Sequence, residues 1–179
     1  MFIDQLHPSF YHIKDVFTEQ QLTELRSLFW DKHTWRQLDD DWDNSRHEKN
    51  LDYPIDGLEE IQNFIEDRIK GPVYANNPQL WFDYPGYIVR LHKDMSPNIN
   101  VNVQVYLIDS KNKQQGTYFV DDVTERGKRS IYGIDYAVNT GYIMFGPTQF
   151  DHGMRHPVTD HRMSLYQSYR LNSIATNEW

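Results

Sequence analysis

Asn98-Ile99-Asn100-Val101-Asn102-Val103-Gln104-Val105-Tyr106-Leu107 alternates apolar and polar side chains without a break. Strand side chains point to opposite faces in turn. Ile99, Val101, Val103, Val105 and Leu107 therefore share one face, and Asn100, Asn102, Gln104 and Tyr106 share the other. This is a half-polar strand of an antiparallel sheet. The polar face meets either water or a cavity between two sheets, and the pattern alone leaves both open.

The strand character continues downstream. Gly116-Thr117-Tyr118-Phe119-Val120 reads as a short strand, Tyr142-Ile143-Met144-Phe145 as another after the Asn139-Thr140-Gly141 turn, and Arg162 to Leu171 as the last. Upstream, Trp81 to Arg90 is an extended run leading to Leu91-His92-Lys93-Asp94. Before that the period changes to helical. Thr18 with Gln21 three residues on is a capping-box pattern, and Leu22, Leu25, Leu28 and Phe29 form a stripe. A second helix is expected from an Asp56 cap, with Leu58, Ile61, Ile65 and Ile69 buried and Gly71-Pro72 ending it. Helices followed by many antiparallel strands predict an α+β chain built on a double-sheet jelly roll. We expect a single domain over 1–179, with 1–79 mainly helical support and loop and 80–171 the jelly-roll core.

Composition narrows the chemistry. The 179 residues suit one domain with a sizeable core, and no apolar run reaches the length of a membrane span. The first residues lack a basic region followed by an apolar core, so no signal peptide is read. There are no cysteines. That removes disulfides and thiolate metal sites and fits a cytoplasmic protein. The net charge of −8 argues against a general nucleic-acid grip. Arg126-Gly127-Lys128-Arg129 reads as a solvated loop, and so does Asp39-Asp40-Asp41-Trp42-Asp43-Asn44, whose spacing is not that of a calcium loop.

Any metal must be held by His and carboxylates. On a strand, His92 and Asp94 point the same way with Cα atoms roughly 6–7 Å apart. His152 offers a third ligand. Two His and one carboxylate leave half of an octahedral iron open. Arg162, ten residues after His152, offers a planar cationic fork for a carboxylate. His152 and His156 also stand four apart, as in zinc helices, but Gly153 and Pro157 disfavour a helix there and no Glu stands as base.

From about Trp81 to Arg170 the chain resembles the Fe(II)- and 2-oxoglutarate-dependent dioxygenases, especially the prolyl-hydroxylase-like branch. Tyr84-Pro85-Gly86, His92-Lys93-Asp94, Val105-Tyr106-Leu107, Gly116-Thr117-Tyr118-Phe119 and Gly141 to Phe145 are similar to successive family segments. His152 to Val158, with Arg162 and then Ser164-Leu165, is similar to the closing signature. The resemblance implies a double-stranded β-helix with iron on His92, Asp94 and His152. It implies Arg162 and Tyr106 on the C5 carboxylate of 2-oxoglutarate, Tyr84 near the cosubstrate's iron-binding end, and Ser164 adding a hydroxyl to the carboxylate site. Ascorbate stands as an optional accessory reductant.

The implied reaction hydroxylates a C–H bond and releases succinate and CO₂, with Asp94 arguing against halogenation. A prolyl residue of a peptide or protein is the first substrate expected. A free amino acid or small metabolite is the alternative, and a non-catalytic jelly-roll binding module the minor one. A cupin-type enzyme would show a His-x-His pair and a later Glu, and neither is present. Substrate contacts are expected from Trp35–Tyr53 and Asp121–Tyr136. Oligomeric state is not legible.

Overall fold

The structure is a computed structural model that describes residues 1–30, 35–37, 46–94, 99–121, 130–146 and 150–171. The two polar loop clusters, Asp39 to Asn44 and Arg126 to Arg129, lie outside the described residues.

In chain order the elements are β1 (Phe2–His7), β2 (Phe10–Lys14), α1 (Glu19–Ser27), β3 (Arg36–Gln37), β4 (Arg46–Asn50), α2 (Glu59–Ile69), β5 (Val73–Ala75) and β6 (Gln79–Asp83). They continue with β7 (Val101–Tyr106), β8 (Thr117–Asp121), β9 (Ser130–Ile134), β10 (Thr140–Phe145), β11 (Asp151–Met154) and β12 (Arg162–Leu171). The larger sheet has the order β1-β2-β10-β7-β12-β6-β4-β3, with β5 also paired to β12. The smaller sheet is β11-β8-β9. Both are antiparallel throughout, and together they form the expected jelly roll.

The alternation of β7 decides how the layers stack. Val101, Val103 and Val105 join Leu80 of β6 and Leu165 of β12 against Leu22 and Leu25 of α1 and Ile61 and Ile65 of α2. Each fully buried side chain of this kind contributes about 1.5–3 kcal/mol. The opposite face of β7 looks between the sheets, not into water: Asn102, Gln104 and Tyr106 are all buried. Tyr106 joins Phe10, Phe119 and Tyr142 in a second apolar cluster that fills one end of the sandwich. Close pairing of β10 on β7 needs Gly141, because a Cβ there would lie 1.8 Å from the Gln104 carbonyl oxygen.

The helix expectations hold for α1, whose capping box closes between Thr18 and Gln21 as read. For α2 the buried face is Ile61, Ile65 and Ile69, and Lys70 takes the left-handed conformation just before Gly71. Its cap differs from expectation. Leu58 is the N-cap, without a side-chain bond, and Asp56 lies outside the helix. Glu59 instead folds back to accept from the Gly57 amide at 2.9 Å.

Residues 1–79 also contain more strand than helix-and-loop support implies. β1 and β2 extend the larger sheet beyond β10, and β3 and β4 extend it beyond β6. The run from Trp81 is likewise not one strand. β6 ends at Asp83, Tyr84 to Tyr87 turns, and residues 87–92 then pair by isolated backbone bonds with 152–158.

Candidate metal centre

His92 and His152 are brought face to face by a single antiparallel bridge. The His92 amide donates to the His152 carbonyl at 3.0 Å, and the His152 amide donates back at 2.8 Å. The imidazole centres are 4.5 Å apart. The next residue, Gly153, runs close under the 89–90 segment, where a Cβ would lie 2.9 Å from two carbonyl oxygens. A larger residue there would push β11 and its histidine away.

Asp94 lies between the two rings, its Oδ1 3.4 Å from His92 Nε2 and 3.6 Å from His152 Nε2. One ligand atom from each residue falls within 4.8 Å of the others, and no second group of three such donors exists among the described residues. The far ring nitrogens face backbone carbonyls: His92 Nδ1 is 2.9 Å from the Arg90 oxygen and His152 Nδ1 3.5 Å from that of Phe150. A carbonyl only accepts, so each Nδ1 carries a hydrogen; in the neutral imidazole this leaves the Nε2 lone pair for a metal, whereas a protonated His92 donates from Nε2 to Asp94.

The site's electrostatics follow from this geometry. Burial by itself would raise the Asp94 carboxyl, but the His92 hydrogen bond and the two imidazoles outweigh it and hold it below its ordinary value. The bond to Asp94 raises His92, against burial. His152, far more enclosed, is lowered by burial despite the Asp94 charge.

The three side chains open onto a cavity of about 570 Å³ between the sheets. Arg162 lies in its wall, buried, and so does Arg46. Between them stands Asp83, wholly buried. Arg46 donates to its two oxygens through Nε at 2.6 Å and Nη2 at 3.1 Å, and Arg162 donates through Nε at 2.8 Å. Arg162 Nη1 donates to the Gln115 carbonyl at 3.1 Å. No acceptor among the described residues meets Arg162 Nη2. Two guanidinium groups around one carboxylate leave one net positive charge in the cavity wall. Arg46 is held besides by rings, 4.2 Å from the centre of Trp81 and 4.4 Å from that of Tyr87.

The remaining predicted residues are distributed unevenly. Tyr106 and Ser164 are fully buried just behind the cavity wall. The Tyr106 hydroxyl donates to Thr117 Oγ1 and accepts from the Thr117 amide, both at 2.9 Å, and Ser164 Oγ accepts from Gln104 Nε2 at 2.9 Å. Thr117 and Gln104 are the ones that line the cavity. Tyr84 is not brought to the site. The chain turns after Asp83, and Tyr84 lines a separate apolar cleft of about 650 Å³ with Phe82, His47 and His161. Tyr87, three residues on, faces the cavity instead.

Sequence reasoning missed Arg46, Asp83, Asn102, Thr117 and Tyr166 as site residues. Period-two counting from Arg162 would have found Tyr166, and the polar face of β7 already contained Asn102. Arg46 and Asp83 gave no local signal.

Comparison of the whole architecture with solved structures decides what kind of fold this is. The fold is that of the Fe(II)- and 2-oxoglutarate-dependent oxygenases. A prolyl-4-hydroxylase from Pseudomonas putida superposes with a TM-score of 0.66 at 10% identity, covering 92% of this chain and 94% of the other. HygX from Streptomyces hygroscopicus, solved with nickel, 2-oxoglutarate and hygromycin B bound, gives 0.67 at 12% identity over 92% and 84%. SnoK, a non-haem α-ketoglutarate-dependent carbocyclase of nogalamycin biosynthesis, gives 0.69 at 13% identity over 90% and 79%. No protein-family model matches the sequence, and no curated protein matches it either. Identities this low speak for the fold alone. The chemistry has to be argued from the cavity.

Proposed function

We propose that the chain is an Fe(II)- and 2-oxoglutarate-dependent oxygenase that hydroxylates a C–H bond, with succinate and CO₂ as coproducts. One observation carries this: His92, Asp94 and His152 converge in a cavity whose wall also holds the cationic Arg162. The donor set fits the metal. Two neutral imidazole nitrogens and one carboxylate oxygen are near enough to share one ion, and ligands of this kind on one side leave positions for other oxygens.

The chain's own residues do the holding. His92 and His152 present Nε2, fixed in tautomer by the Arg90 and Phe150 carbonyls. Asp94 presents Oδ1 and contributes one negative charge. Arg162, clamped by Asp83 and the Gln115 carbonyl, is the residue we assign to the C5 carboxylate of 2-oxoglutarate. Its planar fork is pre-oriented, and the second guanidinium of Arg46 offsets the charge of Asp83. Tyr106 and Ser164 act from behind, holding Thr117 and Gln104 in the wall. Bound there, iron and 2-oxoglutarate supply the oxidation, coupling O₂ and cosubstrate decarboxylation to attack on the C–H bond. A carboxylate at position 94 supports oxygen transfer over halogenation.

For the substrate we put a prolyl residue of a peptide or protein first, on the strength of the motif resemblance and the fold shared with prolyl hydroxylases. The likeness to SnoK and HygX, whose names carry small-molecule chemistry, favours a small metabolite as the second reading. Anaerobic addition of Fe(II) and 2-oxoglutarate is expected to give the weak visible charge-transfer band of the chelate. Absence of both the band and metal binding would sink the proposal. A succinate-release screen over proline peptides, free amino acids and small metabolites then separates the substrate classes.

A further inference from the structure

The two oxygens of the Asp94 carboxylate meet different partners among the described residues. Its Oδ1 faces both imidazoles. Its Oδ2 accepts a hydrogen bond from Asn102 Nδ2. Asn102 is buried on the cavity face of β7, and its Oδ1 accepts from the Tyr166 hydroxyl at 2.8 Å. Tyr166 projects into the cavity from β12, two strand repeats after Arg162, and its ring stacks on Trp81 with centres 4.3 Å apart. β7 and β12 are directly paired, so both side chains stand on one rigid surface.

We propose that Asn102, itself oriented by Tyr166, is a positioning residue that fixes Asp94 as a one-oxygen ligand. The inference rests on the metal-site reading above. Its logic is directional. An ionised carboxylate only accepts, so the Asn102 amide nitrogen must face Asp94 and the amide oxygen must face Tyr166. The Tyr166 hydroxyl must then donate. Burial and the nearby Asp94 charge both keep that phenol protonated. With Oδ2 occupied, the carboxylate plane cannot rotate freely to chelate through both oxygens, and Oδ1 stays turned to the imidazoles. Asp94 needs such a partner because it lies outside the regular strands, beyond the His92 bridge. Outer partners of this type set ligand orientation and typically govern 10–100-fold in metal affinity.

The test titrates Ni(II), alone and without cosubstrate, into wild type, Asp94→Ala, Asn102→Leu and Tyr166→Phe, and records the Co(II) ligand-field spectrum of each. Thermal melting of the metal-free proteins runs alongside. Asn102→Leu keeps the volume and removes the donor, and is expected to bind Ni(II) about 10–100-fold more weakly with a displaced Co(II) spectrum. Tyr166→Phe removes one neutral hydrogen bond and is expected to weaken binding about 3–10-fold, with its metal-free melting lowered by a few degrees at most and the fold kept. If wild type does not take up Ni(II), the metal-site reading fails and this inference with it. If wild type binds, Asp94→Ala does not, and Asn102→Leu matches wild type in affinity and spectrum, only the positioning role is overturned. Should Asn102→Leu not fold, a Tyr166→Phe protein identical to wild type in both readouts overturns it equally.

Discussion

Two carboxylates, Asp94 in the cavity lining and Asp83 buried behind the arginines of its wall, are treated in opposite ways. Asp83 has no exposed surface, and both its oxygens are taken by the guanidinium groups of Arg46 and Arg162. Asp94 is half-buried. One of its oxygens is held by Asn102, and the other is turned to the two imidazoles. The first is satisfied by the protein and serves structure. The second is held by one amide and turned to the histidines, the arrangement that the proposed metal site requires. The same contrast runs through the cations: Asp83 and the Gln115 carbonyl fix Arg162 through Nε and Nη1, and no acceptor among the described residues meets its Nη2.

The largest test of that contrast is to delete each carboxylate in turn. Asp83→Ala strands two buried guanidinium groups and is expected to cost about 3–5 kcal/mol of stability, read by urea unfolding. Asp94→Ala is expected to change metal-free stability by less than about 1 kcal/mol while abolishing Ni(II) binding. Equal stability losses would dissolve the distinction between the two ends. Next in size is Arg162→Ala, expected to weaken 2-oxoglutarate binding about 100-fold with metal binding kept, as measured by titration of the Ni(II)-loaded protein. An unchanged affinity would place the carboxylate anchor elsewhere.

How much of this was legible depends on whether a residue announces its partner locally. The alternation of β7 and the capping box of α1 are short-range patterns, and both folded as read. β12 begins at Arg162 as expected. β4, Arg46-His47-Glu48-Lys49-Asn50, has no apolar alternation, because its cavity-facing residue is an arginine buried by pairing. β1 and β2 are short and end-paired, below what a hydrophobic period can resolve. That His92, Asp94, His152 and Arg162 would come together was readable because their spacing resembles a family pattern. Asp83 and Arg46 are 37 residues apart and meet only through the β4–β6 register. Tyr84 misled because a turn after Asp83 reverses which tyrosine faces inward, and chain pattern does not show that turn's direction.

A smaller effect sharpens the Asp83 side through pH. Burial would raise this carboxyl, but the charges and hydrogen bonds of Arg46 and Arg162 prevail and its pKa is lowered on folding. A group depressed in the folded state contributes stability above its unfolded pKa, about 3.9, and loses it as pH falls below that towards the folded value. The gap in stability between wild type and Asp83→Asn is therefore expected to be constant from pH 7 down to about 5. It should then shrink below pH 4 by at most about 1.4 kcal/mol per pH unit. A gap that persists unchanged into that acid range would mean that folding does not lower the Asp83 pKa.

The smallest expected effect asks whether Asp83 alone holds Arg46, or whether the rings share the task. Arg46 lies within 4.4 Å of the centres of both Trp81 and Tyr87, and the face-on attraction of a partly desolvated guanidinium is worth about 0.5–2 kcal/mol. Tyr87→Leu by itself would confuse that with lost volume. A double-mutant cycle of Tyr87→Leu with Arg46→Met removes the confusion, since the volume change appears in both arms. A coupling of about 1 kcal/mol is expected, with Tyr87→Phe keeping it, because the ring and not the hydroxyl carries the interaction. A coupling near zero would leave Asp83 as the whole anchor of Arg46. The two carboxylates would then differ in charge pairing alone, with no part played by the rings of Tyr87 and Trp81.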